Sequence, residues 1–358
     1  MRKIFGSVIL LCFIFSNIFC QTISNSISGS VTDKETGEGI LNCNIFLSGT
    51  SWGTTSDPDG IYKISSVIPS QYEIVFSMIG YETESVFINF DNNAHLNIDI
   101  ELSPTAYNLD EVVVTSDEPE EWKNNLKIFK KYFLGTSEFS KDCIIKNKAH
   151  LNFSNPSENI LKASINQPMM INNLALGFDI SCELKKFEYN SDEKKVEYIV
   201  STHFTFHDTS DVDILEKWNK NRYRAYKGSI DHFLNCLNKN TFMDEGFEVS
   251  TSLIPRVKGN DHYRARVFSS EPLLSDGYYD EAKSLSFGHY LQIKYNQSGE
   301  VKAPVSWLKL IGSDVTLDKY GVPEDIMPFK VYGKWATRGV SSMLPKYYYV
   351  LNNNNYDF

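Results

Sequence analysis

The stretch "QYEIVFSMIGYETESVFINF", residues 71 to 90, decides the fold of the first part of this chain. Two runs rich in Ile, Val, Phe and Tyr flank Gly80, where a residue without a Cβ permits the chain to reverse. The pattern predicts two strands joined at that glycine. Working outward, "HLNIDIEL" (95 to 102) sets Leu96, Ile98, Ile100 and Leu102 on one face and Asn97, Asp99 and Glu101 on the other, because successive strand side chains alternate. On the other side, "SDPDGIYKI" supplies a turn, with Pro58 fixing φ and Gly60 tolerating a positive one, and then another strand. From Ile27 to Leu102 the chain therefore reads as an all-β sandwich.

The residues also carry a family resemblance. "SGSVTDKETGEGILNCNIFLSGTSWGTTSDPDGIYKISSVIPSQYEIVFSMIGYE" (28 to 82) resembles the carboxypeptidase regulatory-like domain, a transthyretin-like, seven-stranded sandwich. The specific positions are Gly29, Val31, Asp33, Thr36-Gly37, Gly49-Thr50, Gly53 to Thr55, Asp57 to Gly60 and Gly80-Tyr81. Cys43 stands where the family usually has a small residue such as alanine, and Gly39 where proline is common. The resemblance implies an accessory sandwich without catalytic residues. Zinc carboxypeptidases need a His-x-x-Glu pair and a distant histidine, and none of the seven histidines here has Glu three residues later. We therefore expect no metal, no cofactor and no catalytic residue. "GTSWG" (49 to 53) matches the nucleophile-elbow pattern, but the residues after it read as turn and strand, whereas the elbow requires a helix. Asp57 and Asp59 fit a plain turn better than a calcium loop.

Arg2 and Lys3 followed by the apolar run Ile4 to Phe15 read as a signal peptide over residues 1 to 20, too short to span a bilayer. Cleavage after Cys20 is expected. Acylation of Cys20 is the weaker alternative, since Asn17, Ile18 and Phe19 match a lipoprotein signal poorly. Removing Arg2 and Lys3, with no acid lost, takes the net charge from -10 to -12, which argues against nucleic acid as a partner. No later run reaches transmembrane length. Cys43, Cys143, Cys182 and Cys236 allow three disulfide connectivities or none, and Cys43 reads best as a small buried hydrophobe.

"LDEVVVT" (109 to 115) lies in the junction 104 to 118 and resembles the segment that follows this sandwich in many TonB-dependent outer-membrane transporters. There such a segment can add as a strand to a periplasmic partner. Leu109, Asp110, Glu111, Val112, Val113 and Val114 are thus candidate partner-binding residues, the plainer reading being a junction strand. The 243 residues after Thr115 cannot form a transporter barrel of some twenty strands.

Residues 119 to 358 read as an α+β domain with mostly antiparallel strands, since no βαβ alternation appears. Trp122, Leu126, Phe129 and Phe133 mark one helix closing at Gly135, and a helical region from Asp211 to Lys239 breaks near Gly228, with Ser229 as a cap. "EWKNNLKIFKKYFLGTSEFSKDCIIKN" and "RYRAYKGSIDHFLNCL" resemble the second region of exported regulatory-like-domain proteins of unassigned function. Trp218, Arg222, Tyr223, Arg224 and Tyr226 form a candidate site for an anionic or sugar-bearing ligand. The same pattern equally suits a helix with a buried aromatic face. His203 and His207, roughly 13 Å apart along a strand, suit no shared ion. Acid pairs such as Asp244-Glu245 splay apart in such a reading. The chain reads as a non-catalytic, exported cell-envelope protein that binds a protein or glycan partner. The alternatives are a hydrolase of envelope polymer or an accessory subunit of a TonB-dependent outer-membrane transporter.

Overall fold

The computed structural model describes residues 25–90, 94–105, 119–253, 265–296, 303–325 and 327–352. The expected signal peptide and the segment Leu109 to Val114 lie outside them.

Two sheets face each other in the N-terminal region. One is β3 (Gly53–Thr55), β2 (Asn44–Leu47), β5 (Ser70–Ser77) and β6 (Glu84–Phe90), all antiparallel. In the other, β1 (Ser26–Asp33) pairs antiparallel with β4 (Ile61–Ser65) and parallel with β7 (His95–Asn97) and β8 (Ile100–Leu102). The predicted final strand is thus two segments, interrupted at Ile98 and Asp99. Its alternation stands: Asn97, Asp99 and Glu101 are exposed, and Leu102 is buried. The Ile98 carbonyl comes so close to Gly29 that a Cβ there would lie 1.9 Å away. The core holds Ile27, Ile45, Ile74, Phe76 and Phe90, with Cys43 fully buried among them. Ser56 Oγ donates to the Ile40 carbonyl and accepts from the Cys43 N–H, so its buried hydroxyl is satisfied.

The remainder is α+β, mainly antiparallel, built around two further cores. In the first, helix α1 (Glu120–Phe133) lays Leu126, Phe129 and Phe133 on a six-stranded sheet. That sheet contains β9 (Cys143–Ile145), β10 (Asn152–Ser157), β11 (Ile160–Ser164), β12 (Met169–Asn173), β13 (Phe178–Asn190) and β14 (Lys195–Phe206). The helix ends at Gly135, whose φ of +86° suits glycine. A single helical turn at Lys148–His150 separates β9 from β10. Helix α2 (Val212–Tyr226) is capped by the Asp211 carboxylate, which accepts from the N–H groups of Asp213 and Ile214. Ser229 caps α3 (Ile230–Asn238) by accepting from His232 N–H. The chain breaks between these helices where the sequence predicted.

The last core lies under α3. Its main sheet runs β16 (Ala265–Val267), β15 (Phe247–Ser252), β19 (Tyr290–Tyr295), β20 (Val305–Leu310) and β22 (Phe329–Gly333). A small sheet joins β17 (Leu274–Asp276), β18 (Lys283–Leu285) and β21 (Val315–Leu317). The run "KVYGKWATRGV" leaves the sheet after Gly333 and becomes a helical turn at Trp335–Thr337. Beyond it, Tyr347 inserts its ring into the sandwich core, with its hydroxyl 2.7 Å from the Asp318 carboxylate. The C-terminal part of the chain thereby locks the first region to the rest.

Candidate functional site

Among the residues singled out on α2, the polar groups of Trp218 and Arg222 have protein partners. The Arg222 guanidinium is buried, donates to the carbonyls of Leu176 and Gly177 at 2.7 and 3.1 Å, and lies 4.5 Å from the Phe178 ring centre. Trp218 Nε1 donates to the Leu174 carbonyl at 3.0 Å. Arg224 pairs with Glu138, Tyr226 stacks on Tyr349 at 3.9 Å, and the Tyr223 ring lies 5.6 Å from the Lys227 ammonium. The helix buries a cation among rings, a use of arginine that composition alone does not distinguish from a binding patch.

The "GTSWG" loop connects β2 to β3, with no helix after it. It is a docking loop. Gly49 N–H donates to the Thr202 carbonyl at 2.7 Å, Phe204 N–H to the Thr50 carbonyl at 3.0 Å, and Lys346 N–H to the Gly49 carbonyl at 2.7 Å. His203 packs against this loop, stacked on Phe46 with ring centres 5.4 Å apart. Its burial lowers the imidazole pKa, against a hydrogen bond to the Ser51 backbone. His207 lies apart from it, 3.3 Å from the Asp179 carboxylate and against the Trp218 ring.

A larger feature lies between the two halves of residues 119 to 352. A cleft of about 1370 Å³ opens between β14 on one wall and β22 on the other, with the end of α1 and the start of α3 beside them. Its rings are Tyr132, Tyr198, Trp307, Phe329, Tyr332 and Trp335. Trp335 Nε1 is engaged with the Gly228 carbonyl at 2.7 Å, whereas Trp307 Nε1 is buried with no hydrogen-bond acceptor among the described residues. Six cations line the cleft (Lys131, Lys186, Lys194, Lys195, Lys330 and Arg338) against three acids, Glu193, Glu197 and Asp231. Hydrogen bonds from Lys195 and then Lys186 hold Glu197 down at about 2. Asp231 touches solvent in the cleft, yet protein crowds it from all sides at longer range. That desolvation raises its carboxyl pKa against the pull of Arg338 and Lys346. Sequence reasoning missed this site because its walls come from segments more than a hundred residues apart, each of which reads locally as an ordinary strand.

One cluster bears on metal binding. His232, Cys236 and Glu245 bring ligand atoms within 4.8 Å of one another, the first two one helical turn apart on α3. The search for Glu three residues after His passed over this His-x-x-x-Cys spacing. Its chemistry nevertheless suits an ion-pair network better than a cation site. Lys227 Nζ already sits 2.7 Å from Glu245. His232 Nδ1 accepts from the Gly228 N–H at 3.1 Å, so Nε2 carries the proton it presents to Glu245. A metal on Nε2 would turn an Nδ1–H against that N–H, the reverse of the acceptor a metal-bound histidine uses. Burial, then Lys227, push the imidazole down to about 4.

The two-sheet sandwich with its parallel β1–β8 pairing defines the class of the N-terminal region. Residues 27–114 match the family described as CarboxypepD_reg-like domain. The match runs through Val114 and so includes the segment singled out above. The same region is similar to TonB-dependent receptor P3 of Formosa agariphila, 31% identical over 114 residues, covering 32% of this chain and 11% of that one. It is likewise similar to TonB-dependent receptor SusC of Bacteroides thetaiotaomicron, 34% identical over 115 residues, covering 32% of this chain and 10% of that one. This chain matches only about a tenth of the length of these relatives. Among solved structures, a DUF3823 family protein from Bacteroides uniformis overlaps 82% of this chain and 99% of its own at 12% identity and a TM-score of 0.17. A likeness that low carries no argument. No helix among the described residues is long and apolar enough to cross a membrane.

Proposed function

We propose that this is an exported, non-catalytic binding protein of the cell envelope, which holds a macromolecular partner, protein or glycan, in the cleft between β14 and β22. In this reading residues 1–20 are a signal peptide, 21–103 a regulatory-like sandwich acting as a rigid docking module, 104–118 a junction, and 119–358 the partner-binding region. The observation that carries it is the cleft itself, whose volume and half-buried rings suit a bound ligand. The ion-paired state of Glu197 supports holding a ligand over moving a proton. The kinship of the N-terminal region with TonB-dependent receptors supports an envelope location, and it keeps open recruitment of a transporter through Leu109 to Val114.

A photo-crosslinking residue placed at Tyr332 or at Tyr198 in the native host should capture a discrete partner. The same residue at Tyr278, which is 86% exposed and outside the cleft, should not. Equal capture from Tyr278, or none from either cleft position, would refute the cleft as the binding site.

A further inference from the structure

Both walls of the cleft are sheet edges. Among the described residues β14 pairs along its length with β13 alone, apart from its bridge to Thr50, and β22 pairs with β20 alone. The register shows which backbone groups are unused. In the β20–β22 pair, Lys334 N–H donates to the Val305 carbonyl and Ile311 N–H to the Pro328 carbonyl. Hydrogen-bonded pairs alternate along an antiparallel ladder. Lys330 and Tyr332 therefore bond toward β20, and the N–H and C=O groups of Phe329 and Val331 point the other way, away from β20. On β14, His207 N–H donates to Gly177, while the Thr202 carbonyl and Phe204 N–H face outward to Gly49 and Thr50. The same alternation turns the backbone of Val196 and Tyr198 outward, with no backbone partner among the described residues.

We infer that the partner enters the cleft as an extended, acidic polypeptide segment that adds as a strand to the β22 edge. This rests on the cleft reading and narrows it to a class of ligand. An open edge offers main-chain donors and acceptors to a further strand lying about 4.8 Å from it. Lysine at an edge is a recognised guard against unwanted pairing, and Lys330 sits exposed on this one. An acidic segment turns that guard into an attraction. The cleft gathers six cations against three acids in a protein of net charge -10, so its field opposes that of the whole molecule and selects negative ligands. The side chains of such a segment alternate between two faces, acids beside Lys330 on the face shared with Tyr332 and Trp307, and apolar residues beside Phe329 and Val331 on the other.

The test uses the purified mature chain and three probes in titration calorimetry. These are a short synthetic peptide alternating Glu with Val and Thr, the same peptide N-methylated at alternate amides, and an acidic oligogalacturonate. The unmodified peptide should bind, more weakly at high salt, and methylation should weaken it at least ~10-fold by removing its ladder donors. On the protein side, Val331→Pro removes an outward N–H that β20 does not use, and Lys330→Glu reverses the edge charge. Each should weaken the peptide by a similar factor. Methylated and unmethylated peptides binding alike would overturn strand addition even if Val331→Pro fails to fold. Oligogalacturonate binding that is lost in Trp307→Ala, with no peptide binding, would leave the cleft standing as a site and refute the polypeptide. Peptide binding insensitive to Lys330→Glu would place the peptide elsewhere and refute the proposal.

Discussion

Replacing Lys185 with methionine should loosen the sandwich from the rest of the protein. Glu73, on β5, has a side chain only 1% exposed and ion-pairs with Lys185; Ser201 Oγ adds a hydrogen bond of 2.7 Å. Lys185 is the unpaired residue where the β13–β14 register shifts between Leu184 and Lys186. A bulge of this kind re-aims a side chain, and here the result is an ammonium delivered to a carboxylate in the other region. Stripping one partner from a fully buried pair costs about 3–5 kcal/mol and from a surface pair about 0–1. The lysine is 37% exposed, so a loss of about 2 kcal/mol is expected on that scale. The pH dependence gives the sharper test. Desolvation alone would raise the Glu73 pKa, but Lys185 and Ser201 outweigh it and hold the carboxyl below its ordinary value. In the wild type its contribution is full above the unfolded pKa and is lost as pH falls through the folded one. In Lys185→Met only serine hydrogen bonds still oppose desolvation and the folded pKa rises, so the variant is penalised at neutral pH and recovers on acidification. Urea unfolding at about pH 7 and about pH 5 should show the gap between variant and wild type narrowing. A gap below ~0.5 kcal/mol, or one that widens in acid, would refute the coupling.

Gly135→Ala forces a Cβ to 2.2 Å from the Arg338 carbonyl at a φ of +86°. It should cost more than about 2 kcal/mol in thermal melts, against about 1 for Gly37→Ala, which meets only open space. Ser229→Ala removes the cap that accepts from His232 N–H and should cost about 1 kcal/mol by urea unfolding. Arg222→Met leaves the Leu176 carbonyl without its donor and Gly177 with the His207 N–H alone, and should cost about 1–3 kcal/mol by the same measurement. The four described cysteines are free and buried, and burial pushes the Cys43 and Cys143 thiols up to about 12. They should resist iodoacetamide in the native state and react after unfolding without reductant, and protection that persists in denaturant without reductant would show a disulfide.

What was legible and what was not divides along the range of the interactions. The Gly80 reversal, the alternation after His95, the stripe on α1 and the Ser229 cap are local devices, each complete within a few residues, and each appears where its pattern places it. The role of α2 is not local. Arg222 reads as half of a basic, aromatic surface until Phe178, Phe206 and Tyr348 close around it from other parts of the chain. The same holds for the C-terminal segment, which gives no sign that Tyr347 completes a core begun more than three hundred residues earlier. The cleft is the extreme case. A period of two says that β14 and β22 are strands, but an edge differs from an interior strand only in having one neighbour fewer, and the count of neighbours is set by topology. Backbone N–H and C=O groups are alike at every position but proline, so which of them remain free is nearly invisible in composition and decided by register. A binding site built from main-chain edges therefore leaves little trace in the sequence beyond its lysines, and here those are scattered over residues 131 to 330.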